Sequence, residues 1–250
     1  GDQQKPYEGK PLPYTPAAPK PKEADPVVSL QTSLGEIQIQ LFEDDAPNTV
    51  NNFVELVEKQ FYDGVIFHRV IMDFMVQTGD PEGTGQGGPG YFIPDEWRGH
   101  ENKHVQYSVA TAKQDPPNTA GSQFFIVTNP KGEARLDRKH TVFGKVIKGF
   151  DVVDKINTTP KGPGDKPKTE IKITTARVVS KRSHAYAVKV KLPDPTVESR
   201  KQMKAMQEKA AEARKAAETK PAEPKADEKK KPETKPAGQK PEEKKTEVKP

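Results

Sequence analysis

An antiparallel β barrel or sandwich capped by two helices is the fold class this sequence predicts, and three observations predict it. Short runs of strand-like residues recur at 65–70, 107–112, 123–127, 142–147 and 170–179, separated by Gly- and Pro-rich turns. Ile37, Ile39 and Leu41 alternate with polar residues, the period of a half-buried strand. Only two segments carry a helical period, too few to cover a parallel sheet on both faces.

The first 26 residues hold Pro6, Pro11, Pro13, Pro16, Pro19, Pro21 and Pro26 among Lys, Ala and Tyr. That composition favours extended backbone without a core, a semi-rigid linker. The folded domain is expected over 27–180, its first turn at Ser33-Leu34-Gly35. Pro47 suits the first turn of a helix, and Val50, Phe53, Val54 and Val57 follow at i, i+3, i+4 and i+7, which predicts an amphipathic helix with one buried face. Phe150, Val153 and Ile156 predict a second, shorter helix. Beyond it, 181–195 reads as a connecting segment closed by Pro193 and Pro195. Residues 196–218 are good helix formers with little apolar face beyond Met203 and Met206, hence a solvated helix. The Lys/Pro/Glu-rich stretch 219–250 cannot bury enough surface to offset chain entropy and is expected to be disordered.

Of the 250 residues 25 are proline, none is cysteine, and 32% are hydrophobic, which suits one compact domain with polar flanks. Without cysteine there is neither a disulfide framework nor a thiolate metal site, and redox compartment is left open. No apolar run reaches the length of a membrane span, and the segment from Gly1 has no apolar core of a signal peptide. The net charge is +5, but 200–250 alone carries 16 Lys and Arg against 10 Asp and Glu, which leaves the folded part near −1. A specific nucleic-acid surface is not expected: the tail's charges are mixed and it has no aromatics to stack on bases.

Covalent and metal chemistry find no motif: there is no Gly-x-Ser-x-Gly elbow and no His-Glu-x-x-His. The run Gly83-Thr84-Gly85-Gln86-Gly87-Gly88 formally fits a dinucleotide fingerprint, yet Pro89-Gly90 follows where a helix should start, so it reads as a surface loop. Two other stretches are richer. Phe67-His68-Arg69-Val70-Ile71-Met72-Asp73-Phe74-Met75-Val76-Gln77-Thr78-Gly79-Asp80 gathers an arginine, aromatics, a methionine and a glutamine, and Gly121-Ser122-Gln123-Phe124-Phe125-Ile126 adds an aromatic pair. Since Phe124 and Phe125 are adjacent on a strand, one should enter the core and the other a groove. Ordinary core packing is the plainer reading of Phe74 and Phe125, as a solvated surface charge is of Arg69.

These runs, with Leu136-Asp137 and His140-Thr141-Val142-Phe143-Gly144-Lys145-Val146, resemble the signature of the cyclophilin-type peptidyl-prolyl cis-trans isomerases, in the family's order over about 27–180. The resemblance implies an eight-stranded antiparallel barrel capped by two helices. It also implies a groove on the outer face that accepts X-Pro peptides of unfolded or folding proteins, a monomer, and no cofactor or metal. Residue by residue it implies Arg69 as the catalytic arginine and Phe74, Met75, Phe125, Leu136 and His140 as a proline pocket. Gln77 and Gln123 fall on polar groove positions, Ala110 and Thr111 on the strand that pairs with substrate backbone, and Gly83 and Thr84 on the rim of a neighbouring pocket. His140 is expected as a pocket wall, because the reaction moves no proton.

The chain departs from the family at several places. Arg135 stands where a tryptophan often precedes the leucine, a position associated with cyclosporin binding; Thr111 stands where many members have Asn; and the loop 113–118 is longer than the shortest ones. Tyr91 and the absence of cysteine suit a bacterial-type member. The alternative function is a proline-peptide-binding module with little turnover. A Pro-rich start without Met and a long charged tail suggest a periplasmic or otherwise extracytoplasmic location, with the cytoplasm as the alternative.

Overall fold

The computed structural model describes residues 25–98 and 102–199, with isolated positions at 201–202, 205–206, 208–209 and 212. The linker expected over 1–26 is thus described only at Asp25 and Pro26, and the tail expected over 219–250 lies outside the described residues. Residues 197–199 are helical, as are the described positions that follow, which are exposed. No helix among the described residues is long and apolar enough to cross a membrane.

Among the described residues up to 196, ten strands and two α-helices are formed: β1 (Val27–Thr32), β2 (Gly35–Leu41), α1 (Pro47–Glu58), β3 (Arg69–Ile71), β4 (Met75–Thr78), β5 (Tyr91–Phe92), β6 (Ser108–Thr111), β7 (Phe124–Val127), β8 (Val142–Lys148), α2 (Phe150–Asn157), β9 (Ile173–Ser180) and β10 (Leu192–Pro193). Eight of them make one antiparallel sheet in the order β3-β4-β7-β6-β8-β2-β1-β9, and β10 pairs with β5 apart from it. The sheet curls on itself: Phe67 N–H donates to the Ile171 carbonyl and Gly64 N–H to that of Ile173, joining the approach to β3 with the β9 side. The strand expected over 65–70 therefore starts as an isolated bridge at Ile66 and becomes regular only from Arg69. β4, which has no separate signal in the sequence, is the return arm of a hairpin turned by Met72-Asp73-Phe74, with Asp73 at positive φ.

Inside the curl lies the main core, which includes Leu30, Ile37, Ile39, Val54, Ile126 and Phe143. From α1, Phe53 packs against Tyr62, Phe124 and Phe143 with ring centroids 5.2, 5.2 and 5.3 Å away. This helix departs from the expected single buried face, since Asn48, Thr49, Asn51 and Asn52 are buried as well. Its second face is covered by loop 93–98 and by residues 181–195. Ala46 supplies no side-chain cap; instead the Glu96 carboxylate accepts from Asn48 N–H at 3.0 Å and Thr49 N–H at 2.7 Å, an anion on the helix N-terminus brought from another part of the chain.

Candidate active site

Cross-strand register assembles the site. Arg69 faces Gln77, Gln77 faces Phe125, and Phe125 faces Ala110, so one row crosses β3, β4, β7 and β6 on the outer side of the sheet. Alternation along β7 sends Phe124 inward to Phe53 and Tyr62, and Phe125 outward. The pair divides between two apolar clusters on opposite faces of the sheet, as adjacency on a strand requires.

Around Phe125 a second apolar cluster forms with Phe42, Met75, Ala110, Val127 and Val142, and Ile71, Phe74, Ala112 and Leu136 at its partly exposed margin. The sheet separates it from the main core. Two histidines shape it: His140 meets the Phe125 ring edge-on at 5.6 Å, and His104 stacks on it at 5.9 Å with 12° between planes. The sequence reading missed His104. Its imidazole is fully buried and held by Asp137, which accepts from Nδ1 at 2.9 Å and from the His104 backbone N–H at 3.0 Å. The Leu-Asp segment thus places a pocket residue, Leu136, and the support of another, but no local pattern links Asp137 to a histidine 33 positions away.

His140 Nδ1 lies 3.0 Å from the Thr111 carbonyl, which can only accept, so the proton sits on Nδ1 and Nε2 is bare. Burial pushes its pKa down to about 4. The ring is therefore neutral near pH 7. A group that binds its proton more weakly folded than unfolded gives stability that is complete above the unfolded pKa, about 6.5, and lost as the pH falls toward 4. The loss expected from His140 is about 2 kcal/mol; burial shifts His68 in the same direction. Urea midpoints should drop between pH 6.5 and 4.5, and less steeply in His140→Gln. Equal slopes in the two proteins would refute this.

Strand β6 is flanked on both sides by β7 and β8. Thr111 N–H already donates to the Thr141 carbonyl at 3.0 Å, and its own carbonyl accepts from His140. The expected pairing of Ala110 and Thr111 with substrate backbone is thereby limited to the second lone pair of the Thr111 carbonyl.

Gln77 Nε2 donates to Gln123 Oε1 at 2.9 Å, and Gln123 Nε2 donates to the Gly87 carbonyl at 2.9 Å, tying the groove to the glycine-rich loop. That loop winds around the fully buried Asp80, whose carboxylate accepts from the backbone N–H groups of Glu82, Thr84 and Gly85 and from the Thr84 hydroxyl. A Cβ on Gly87 would stand 1.9 Å from Asp80 Oδ1, so close approach explains this glycine. Gly83 and Thr84 belong to this wound loop, no helix follows it, and the dinucleotide reading is excluded by its geometry. Asp80, the centre of the loop, also escaped the sequence reading.

Arg69 is the exposed member of the row, its side chain 45% accessible. Its nearest carboxylate is Asp165 in the turn Pro163–Asp165, 3.8 Å from Nε, and Asp165 is itself held by Lys161 Nζ at 2.7 Å. Arg135 lies with its guanidinium 4.4 Å above the Phe74 ring and Nε 2.8 Å from Glu133, and so covers one edge of the pocket. The long loop 113–118 is pinned through Asp95, which exchanges backbone-to-side-chain bonds with Asn118 and lies 3.7 Å from Lys113. A half-exposed cation in register with an outer apolar cluster, with no nucleophile in the row, suits non-covalent work on a ring-bearing peptide.

A family model described as cyclophilin type peptidyl-prolyl cis-trans isomerase/CLD matches residues 27–178. The peptidyl-prolyl cis-trans isomerase CYP18-2 of Arabidopsis thaliana is 38% identical over 163 residues, 64% of this chain and 98% of the relative. The peptidyl-prolyl cis-trans isomerase-like 1 of Neurospora crassa is 42% identical over 156 residues, 61% and 93% of the two chains. Among solved structures, a cyclophilin type peptidyl-prolyl cis-trans isomerase of Cryptosporidium parvum superposes with a TM-score of 0.59 at 32% identity, over 63% of this chain and 99% of the other. The same protein crystallised in the presence of the dipeptide Ala-Pro gives 0.57. These organisms are eukaryotes, so the relatives lend nothing to the bacterial-type expectation.

Proposed function

This chain belongs to the cyclophilin-type peptidyl-prolyl cis-trans isomerase family and is a rotamase for X-Pro bonds; from that premise we propose that Arg69 is its catalytic residue and the Phe125 recess its proline pocket. The observation that carries the assignment is the register that sets Arg69, Gln77, Phe125 and Ala110 in one row beside the outer apolar cluster.

The barrier to rotation is about 18–20 kcal/mol because amide resonance must be broken. As the bond twists, the prolyl nitrogen regains a lone pair. A guanidinium directed at that nitrogen stabilises the twisted state more than either planar one, which is what lowers a barrier. Met75, Phe74, Leu136 and His140 would hold the pyrrolidine ring against Phe125 while Gln77 and Gln123 hold the peptide, so that rotation about the amide is the free coordinate. Proline-containing peptides are the ligands we infer for this groove, in keeping with the crystallisation of the Cryptosporidium parvum relative in the presence of the dipeptide Ala-Pro. Unfolded and folding chains are the clients we infer, with the chain acting as a monomer. A proline-isomerisation assay on a short X-Pro peptide tests the reading: background turnover in the wild type, or an undiminished rate in Arg69→Ala, would overturn it.

Arg135 accounts for inhibitor response in the same reading. Its guanidinium occupies the face of Phe74. Arg135→Trp is expected to tighten cyclosporin binding about tenfold or more, the size of a buried interfacial tryptophan contact, while kcat/KM changes less than about threefold. Unchanged affinity by calorimetry would remove Arg135 as the cause.

A further inference from the structure

The family match ends at residue 178, yet the continuously described residues run on to 199, and residues 181–195 are fastened along their length. Arg182 binds Asp25 at 2.7 Å and Asp44 at 2.6 Å. Tyr186 is 5% exposed and joins the main core, its hydroxyl donating to the buried Glu43 carboxylate at 2.5 Å, while His184 holds the other Glu43 oxygen at the same distance. Next, Val188 N–H donates to Glu55, and Lys189 and Val190 N–H both donate to Asn48 Oδ1 at 2.9 Å. Asn48 Nδ2 returns a bond to the Val190 carbonyl at 3.1 Å. Lys191 then lies 4.5 Å above the Tyr91 ring, and Leu192 and Pro193 pair with Phe92 and Tyr91. A segment that satisfies so many buried partners is part of the domain.

Its far end leads to the groove. Tyr91 Oη donates to Asn52 Oδ1 at 2.7 Å, and Asn52 Nδ2 donates to the Gly121 carbonyl at 2.9 Å. Ile93 N–H donates to the Ala120 carbonyl at 2.8 Å. Residues 120 and 121 lead directly into Ser122, whose hydroxyl bonds the Gly79 carbonyl, and Gln123, which bonds Gln77 and Gly87. The path is therefore β10, β5, α1 and the approach to β7, each joined to the next by a hydrogen bond at 2.9 Å or less or by strand pairing.

We propose that residues 181–195 are a strap that sets the groove wall at Gly121–Gln123, with Tyr91 and Asn52 as positioning residues between strap and wall. The strap touches no reacting atom; it acts on how well the peptide is held, not on the charge that assists rotation. This rests on the groove reading given above.

The test uses the full chain and an Ala-Pro-containing peptide, with affinity from titration and the rate on saturated enzyme from exchange spectroscopy. Tyr91→Phe removes the Asn52 bond and keeps the ring under Lys191. Val190→Pro removes one of the strap's three bonds to Asn48, the one donated by the Val190 N–H. Each is expected to weaken peptide affinity about three- to tenfold with the saturated rate within about twofold, and the double variant is expected to lose less than the product of the two. Lower thermal midpoints with unmoved affinity in both variants would make the strap a stabilising element only and overturn the proposal. So would full multiplicativity. A wild type whose turnover ignores Arg69→Ala would instead overturn the groove reading, and the strap's role with it.

Discussion

Replacing Arg69 with alanine is expected to lower kcat/KM for an X-Pro peptide by about 10²–10³, the loss typical of removing one preorganised group that stabilises transition-state charge. The fold should not suffer. The side chain is half exposed, and its ion pair with Asp165 spans 3.8 Å at the surface, where such pairs contribute about 0–1 kcal/mol. Thermal midpoints of the two proteins should therefore agree within about 4 °C. Arg69→Lys keeps the charge but replaces a planar fork by a point ammonium on a flexible stem, so activity between wild type and alanine is expected. A peptide-assay rate for Arg69→Ala within twofold of wild type would sink the assignment.

Truncating the two neighbouring aromatics of β7 is expected to produce opposite phenotypes. Phe124→Ala removes a ring from the main core, where it touches Phe53 and Tyr62, and should cost about 3–5 kcal/mol of stability. Peptide affinity measured on the remaining folded protein should change little. Phe125→Ala removes the central ring of the outer cluster, against which His104 and His140 pack. It should weaken proline-peptide binding by about tenfold or more, the loss of a central aromatic contact, at a stability cost of about 3 kcal/mol. Titrations at a pH near 7 alongside urea unfolding separate the two. If Phe124→Ala spoils binding and Phe125→Ala does not, the groove lies on the wrong side of the sheet.

Both predictions depend on features legible in the chain. Val50, Phe53, Val54 and Val57 announced α1, the alternation at Ile37, Ile39 and Leu41 announced β2, and adjacency alone required Phe124 and Phe125 to part. These are local periodicities, imposed by 3.6 residues per helical turn and two per strand repeat. The candidate site was legible for a different reason: Arg69, Gln77 and Phe125 stand in short recognisable stretches, and strand register turns those stretches into one row.

What escaped was long-range and polar. His104 is held by Asp137, Asp80 organises a loop through backbone N–H groups, and Glu96 caps a helix that begins 49 positions before it at Pro47, none of which leaves a periodic trace. The packing of 181–195, read from the sequence as a connecting segment, was illegible for the same reason. Its prolines and charges are those of a solvated segment, yet His184 meets Glu43 across 141 positions and Val190 meets Asn48 across 142. So the sequence by itself determined the strand faces, the apolar face of α1 and the split of Phe124 from Phe125. Only the tertiary structure decided which buried polar groups find partners, how α1 is capped, and that residues after the end of the family match pack onto α1 and β5. The physical reason is that apolar burial follows a local repeat, whereas a buried hydrogen bond is specified only when two distant segments have already met.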